Sequence, residues 1–311
     1  MSPKNIKHQE ETAQLATGQR IANTLLQHVK GLFEDSGAST ILICSQGPGN
    51  DPFPLEEKLR KNVLYAARTD EDLQGAEALG YRCIRVPDVT LSRMGQVKMA
   101  TFLALSRGLI EQDDVIVSLS GISQSGVLDT LVILEVGAEY EMLTHPTESG
   151  VTPAHIQPEV LERAIDLASQ MGSEGREGIP VGAIFVIGDS ERVISLSRQL
   201  ILNPFHGYPE EQRNLLDPTL EETIKELSSL DGAFVVRGDG IVETCGAYLK
   251  TASQDEVDLP RGLGARHHAA AAITAVTDAM AVTVSQSTGT VSIFRSGHIV
   301  TEIEKPRLAG C

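Results

Sequence analysis

The 311-residue chain has no Gly-Lys dipeptide, which excludes a Walker A loop and its phosphate-binding lysine. It has no tryptophan, and its four cysteines (Cys44, Cys83, Cys245 and Cys311) include no Cys-x-x-Cys pair. That spacing argues against a zinc site or a redox couple and fits reduced, mostly buried thiols of a cytosolic protein. No apolar run approaches the ~20 residues a membrane helix needs. The N-terminus is polar and lacks a signal-peptide core, so a cytoplasmic protein without a membrane partner is expected. Positive charge is scarce as well. Lysine and arginine total 26 against 42 aspartate and glutamate, a net charge of -16. No basic stripe for nucleic acid is expected, although a locally basic pocket for a small anion is not excluded. No internal repeat of fixed period is present.

The length suggests two domains, because single cores rarely grow past roughly 250–300 residues. Apolar periodicity predicts a helix from about Glu10 onward, carrying Ala16, Ile21, Leu25, Leu26, Val29, Leu32 and Phe33 on its apolar positions. Strands at 39–44, 62–66, 81–86, 114–118 and 130–136 then alternate with helices near 54–61, 70–79 and 94–107. Such alternation implies an α/β domain with a parallel sheet covered by helices. The turn Ser45-Gln-Gly-Pro-Gly-Asn50 follows the first strand, where open α/β sheets bind ligands. The run from His145 to Pro153 reads as a linker, and Thr152-Pro153 as the start of an amphipathic approach helix ending at Gly172. Beyond it, strands at 181–187, 233–237, 241–244, 281–285, 291–294 and 299–303, with a helix at 216–230, predict a mixed sheet flanked by helices. The expected division is a first domain at 1–145, a linker and approach helix at 146–180, and a second domain at 181–311.

Two short strings in the second domain carry the chemistry. Asp231-Gly232-Ala233 caps the strand-like run beginning at Ala233. Arg266-His267-His268 follows a Gly-rich stretch and opens the helix-like run His268–Thr277. A carboxylate at one junction can hold a divalent metal. A Gly-rich helix start at the other offers backbone N–H groups and partial positive charge to phosphates. Cations at a helix N-terminus oppose the helix dipole, and an anion placed there supplies the reason for them.

These strings, with Ser285-Gln286-Ser287-Thr288-Gly289-Thr290 after them, resemble the diadenylate cyclase (DAC) family over about Gly182 to Ile303. The Arg-His-His variant and the attached N-terminal region look like the family's archaeal, DacZ-type branch. The resemblance implies joining two ATP molecules into cyclic di-AMP, with attack of a 3′-OH on an α-phosphate and loss of pyrophosphate. It implies that Asp231 ligates Mn²⁺ or Mg²⁺ and helps deprotonate or orient the 3′-OH. Arg266 and His267 would join it in catalysis. The ATP contacts it implies are Asp231, Gly232, Ala233, Leu249, Gly264, Ala265, Arg266, His267, His268, Ala269, Ser285 and Gln286. Leu249 stands as an adenine contact or, equally, as a core residue. The product's two-fold symmetry implies a homo-oligomer in which two DAC domains meet face to face. Within the first domain, Gly108–Gly137 resembles the C-terminal domain of pyruvate kinase at the level of fold.

Three positions depart from the common family pattern. Ala265 replaces a threonine, His268 an arginine and Gln286 a glutamate. The first loses a hydroxyl, the second a permanent charge, and the third an anionic metal ligand. A non-catalytic nucleotide sensor with a degenerate DAC domain is therefore the alternative expectation.

Overall fold

A computed structural model describes residues 3–44, 55–122, 127–137, 152–175, 179, 181–250, 259–260 and 262–305, with side chains from residue 17 onward. The turn at 45–50 and most of the linker after His145 lie outside the described residues. The chain divides into two compact units, Met1–Glu139 with Pro306–Cys311, and Tyr140–Lys305. No described helix is long and apolar enough to cross a membrane.

In the first unit, α1 (Pro3–Asp35) precedes β1 (Thr40–Ile43), α2 (Glu57–Arg60), β2 (Val63–Ala67) and α3 (Asp70–Ala78). Then come β3 (Arg82–Arg85), α4 (Arg93–Ser106), β4 (Val115–Gly121) and β5 (Leu128–Glu135). The sheet order is β3-β2-β1-β4-β5. Strands β1 to β4 pair in parallel, with Ile41 opposite both Val63 and Val117. The inner strands are near-continuous apolar runs because both of their faces are buried. Ile41, Ile43, Val63, Tyr65 and Ala67 share a core with Ala22, Leu26 and Val29 of α1 and Ala76 of α3. The alternate residues Leu42, Leu64 and Ala66 are buried on the opposite face. The start of α3 is fixed by a capping box between Thr69 and Asp72.

One strand corrects the expectation of a parallel sheet. β5 runs antiparallel to β4, with Val117 opposite Ile133. Only six residues separate the two strands. A parallel return needs a crossover of a dozen or more, so the short loop permits only an antiparallel neighbour.

The second unit opens with α5 (Pro158–Glu174) and β6 (Ile184–Ile187). Then follow α6 (Ser190–Ser195), β7 (Ser197–Gln199), α7 (Glu221–Leu227), β8 (Ala233–Val236) and β9 (Val242–Leu249). α8 (Ala265–Ala275), β10 (Met280–Val284), β11 (Val291–Arg295) and β12 (His298–Ile303) complete it. Its sheet has the order β12-β11-β10-β6-β8-β9-β7. Only β6 and β8 pair in parallel; every other pairing is antiparallel. The sheet is mixed, as expected, with α8 packed on β10, β11, β12 and β6.

The approach helix is an integral part of this unit, since α5 packs on β10 and β11. It also begins later than Thr152-Pro153. Ile156 is buried and the Gln157 N–H donates to the Gly238 carbonyl at 2.9 Å, so the preceding segment is held against the sheet. Pro158 then takes the first helical position, where its missing N–H costs nothing. The helix expected over 216–230 is shorter, a 3₁₀ turn at Pro218–Leu220 leading into α7.

Candidate active site

The sheet topology brings the motif ends to one edge. β6 and β8 start there together, with Phe185 opposite Phe234, and are preceded by Gly182 and by Asp231-Gly232. β9 runs the other way and ends there at Leu249. β10, antiparallel to β6, also ends there and delivers Ser285 and Gln286. α8 presents its N-terminus to the same edge, with Arg266 Nη2 3.8 Å from Asp231 Oδ1.

Asp231 sits on a strand mouth shaped by two glycines. Gly232 has φ +107°, and a Cβ there would lie 2.5 Å from the carbonyl carbon of Gly246, itself at φ +68°. The pairing of β8 with β9 shifts register between Ala233 and Val235, a bulge of the kind that redirects side chains beside functional sites. The Asp231 side chain is left 93% exposed. Asp-Gly is thus a close backbone approach at the head of a strand, and Ala233 is already core.

At the other junction Gly264 is the N-cap of α8. No side chain caps this helix, and its first turn holds no acidic residue. The N–H groups of His267 and His268 donate to the Gly264 carbonyl at 3.0 and 3.3 Å. Gly264 and Ala265 are exposed. The helix start is therefore an open donor site for an anion, with the Arg266 guanidinium beside it. His268 is half-buried, and its Nδ1 is enclosed without a hydrogen-bond partner.

Two of the named side chains are buried in the core. His267 is buried, edge-on to Phe294 with ring centroids 6.0 Å apart. Burial pushes its pKa below the ordinary value of 6.5, helped by the neighbouring His268 and Arg266 charges. The reason is helical periodicity: position 267 shares the inner stripe with Ala270, Ala271 and Thr274, so its side chain faces the core and away from the helix mouth. Leu249 is 6% exposed and packs in the core with Ala233, Ala247, Ala270 and Ala271. Of its two expected roles, this is the core one. Ala269 is half-buried in α8, with its side chain packed against the same core.

Ser285 and Gln286 lie in a tight turn. The Gly289 N–H donates to the Ser285 carbonyl at 2.8 Å, and the Thr288 N–H to Ser285 Oγ at 3.3 Å. The turn is seated on the end of α5, where a Cβ at Gly289 would lie 2.2 Å from the Gly172 carbonyl oxygen. Lys305 Nζ donates to that same carbonyl at 3.1 Å. Gln286 is exposed, and its Cβ lies beside Gly182 together with the Arg266 guanidinium. Gly182 had no assigned role in the sequence; the signal available was a glycine at the head of an apolar run. Asp278 lies at the far end of β10, where its N–H donates to Asp189 Oδ2 at 3.0 Å.

Among the described residues no three His, Cys, Asp or Glu side chains converge into a metal cage. One exposed carboxylate beside an uncapped helix start suits a hard divalent ion that takes few protein ligands. The donor chemistry fits Mg²⁺ or Mn²⁺, with Asp231 as the carboxylate that would hold it.

Comparison with known proteins places the chain among relatives. Residues 170–299 match the DAC family, described as DisA bacterial checkpoint controller nucleotide-binding. Residues 22–144 match the probable sensor domain DacZ_P. That second match is to a sensor family, and the likeness to the pyruvate kinase C-terminal domain gains no support from it. A diadenylate cyclase of Methanocaldococcus jannaschii is 42% identical over 202 residues, covering 65% of this chain and 63% of that protein. The match therefore spans slightly less than two thirds of that relative's length. A diadenylate cyclase of Haloferax volcanii is 36% identical over 208 residues, covering 65% of this chain and 72% of the relative. DacA from Staphylococcus aureus, a solved structure, aligns with 21% identity and a TM-score of 0.31 over 47% of this chain and 86% of its own. With its ordered motifs gathered on one sheet edge and these relatives matched along most of its length, the chain belongs to the diadenylate cyclase family.

Proposed function

We propose that this protein joins two ATP molecules into cyclic di-AMP with release of two pyrophosphates. In each half-reaction a 3′-oxygen forms a bond to the α-phosphorus of the other nucleotide, and the bond from that phosphorus to pyrophosphate breaks. The proton leaves the 3′-OH, and Asp231 is the group proposed to orient that hydroxyl and help remove its proton. Arg266, with its permanent planar charge, takes phosphate oxygens. The start of α8 adds backbone N–H donors, and His268 offers a further nitrogen. A divalent ion held by Asp231 would supply positive charge at the reacting phosphate. Most of the rate would come from positioning and fixed charge, as is usual in phosphoryl and nucleotidyl transfer.

The observation that carries this reading is the meeting of an exposed carboxylate and a guanidinium, 3.8 Å apart, at an uncapped helix start. A product with two identical bonds needs two such sites, so we further propose a homo-oligomer in which two second units face each other. The three described cysteines are free, and burial pushes Cys44 up to about 12 and Cys83 and Cys245 up to about 11.

The test is incubation of the purified chain with ATP and either Mg²⁺ or Mn²⁺, followed by mass analysis. Cyclic di-AMP with pyrophosphate in a ratio of one to two is expected. Tight ATP binding without product under both ions would instead favour the non-catalytic sensor, for which the neutral, exposed Gln286 is the motivating feature.

A further inference from the structure

Several glycines of the second unit are explained by backbone. A Cβ at Gly232 would strike the backbone of Gly246, one at Gly238 the carbonyl of His155, and one at Gly172 the carbonyl of Gly289. Gly182, two residues before the start of β6, is different. It is not among the residues with positive φ, so its own conformation does not require glycine. It is buried. A Cβ built there would lie 2.6 Å from Arg266 Nη1, 3.1 Å from Arg266 Cζ and 3.1 Å from Gln286 Cβ. Its three nearest neighbours are thus side-chain atoms of two residues at the site edge.

We propose that Gly182 is a positioning residue for the cyclase reaction. By lacking a side chain it leaves the slot in which the Arg266 guanidinium rests within reach of Asp231, with the stem of Gln286 beside it. The inference rests on the reading that Arg266 acts on substrate phosphate. A methyl group at 182 occupies that slot. The φ at 182 admits alanine, the flexible end of Arg266 is what yields to the 2.6 Å approach, and Gln286 Cβ at 3.1 Å needs to give by only a few tenths of an ångström. The guanidinium is then displaced by a distance on the order of an ångström, which is enough to cost about 10²-fold when a group must meet a reacting centre. The fold and the open start of α8 are left in place, so nucleotide can still bind.

The experiment is a double-mutant cycle on the full chain with Gly182→Ala, Arg266→Ala and the pair. Readouts are kcat and KM for ATP with Mg²⁺ or Mn²⁺, and the melting curve. Gly182→Ala is expected to lower kcat by about 10²-fold, with a much smaller change in KM and an unchanged melt. Added to Arg266→Ala, it is expected to cost less than about twofold, because the group it displaces is already gone. An equal loss from Gly182→Ala in both backgrounds would show a route independent of Arg266 and overturn the proposal. An inactive Arg266→Ala beside a fully active Gly182→Ala would overturn the proposal alone. A fully active Arg266→Ala would remove Arg266 from the reaction, and the proposal with it. Should Gly182→Ala fail to fold, the double variant decides. It removes the Arg266 atoms that the new methyl would strike, the nearest at 2.6 Å, and leaves only the 3.1 Å approach of Gln286 Cβ, so it should fold, and a double variant that remains unfolded overturns the steric link to Arg266.

Discussion

Asp231 and His267 have opposite surroundings, and each gives a distinct expectation. The Asp231 side chain is 93% exposed and its Arg266 contact is long at 3.8 Å, so it holds little of the fold together. Asp231→Asn keeps the shape and removes the charge. Cyclic di-AMP formation should fall by at least about 10²-fold while the melting curve stays put; wild-type turnover by mass analysis would take Asp231 out of the reaction. His267 is buried and its pKa is lowered, chiefly by burial. The unfolded chain therefore binds more protons than the folded one below the ordinary value of 6.5. Its contribution to stability is complete above that value and is lost as the pH falls from there through the folded pKa. His267→Phe should flatten the decline in melting temperature between about pH 7 and 5.5 relative to wild type. Parallel declines in the two proteins would show that His267 does not set the acid response.

At the scale of elements, the site depends on the bulge between β8 and β9 and on the start of α8. Gly232 at φ +107° meets backbone of Gly246, which cannot swing aside as a side chain can. Gly232→Ala should destabilise the second unit by about 1–3 kcal/mol, the cost of a strained backbone position, and should also reduce activity by misdirecting Asp231. A melt and a turnover measurement check both, and an unaltered melt would show that the bulge relaxes freely. α8 illustrates how position within a turn decides role. Arg266 points along the mouth, while His267, one residue or about 100° further round, points inward. The adjacent residues of one motif therefore have separate surroundings: Arg266 lies beside Asp231, and His267 packs on Phe294.

For the molecule as a whole, the proposed reaction needs two copies of the site edge. Leu202 is 95% exposed, and the segment carrying it follows β7 with Ile201 packed beside Gly246, close to the Asp231 backbone. If facing copies assemble transiently around this edge, activity per protomer should rise with protein concentration. Leu202→Asp should shift that rise to higher concentration without altering the melt. Sedimentation together with specific activity across a dilution series checks this, and a monomer with constant specific activity would refute the arrangement.

The sequence by itself determined the two-unit α/β organisation, the positions of most strands and helices, and the ordered motifs Asp231-Gly232-Ala233, Arg266-His267-His268 and Ser285–Thr290. Those features are local: apolar periodicity, glycine placement and spacing survive without knowledge of the partners. The short β7 and α6 were not legible, because six or fewer residues carry too little periodicity to register. The direction of β5 was not read either, although the brevity of its loop contained the answer. Only the tertiary structure decided which motif side chains face the site. It buried His267, placed Leu249 in the core that was one of its two expected positions, and brought Gly182, about 50 residues before Asp231, against Arg266 and Gln286. The physical reason is that a side chain's neighbours are set by how antiparallel and parallel strands bring distant ends to one edge, and no window of the chain records that meeting.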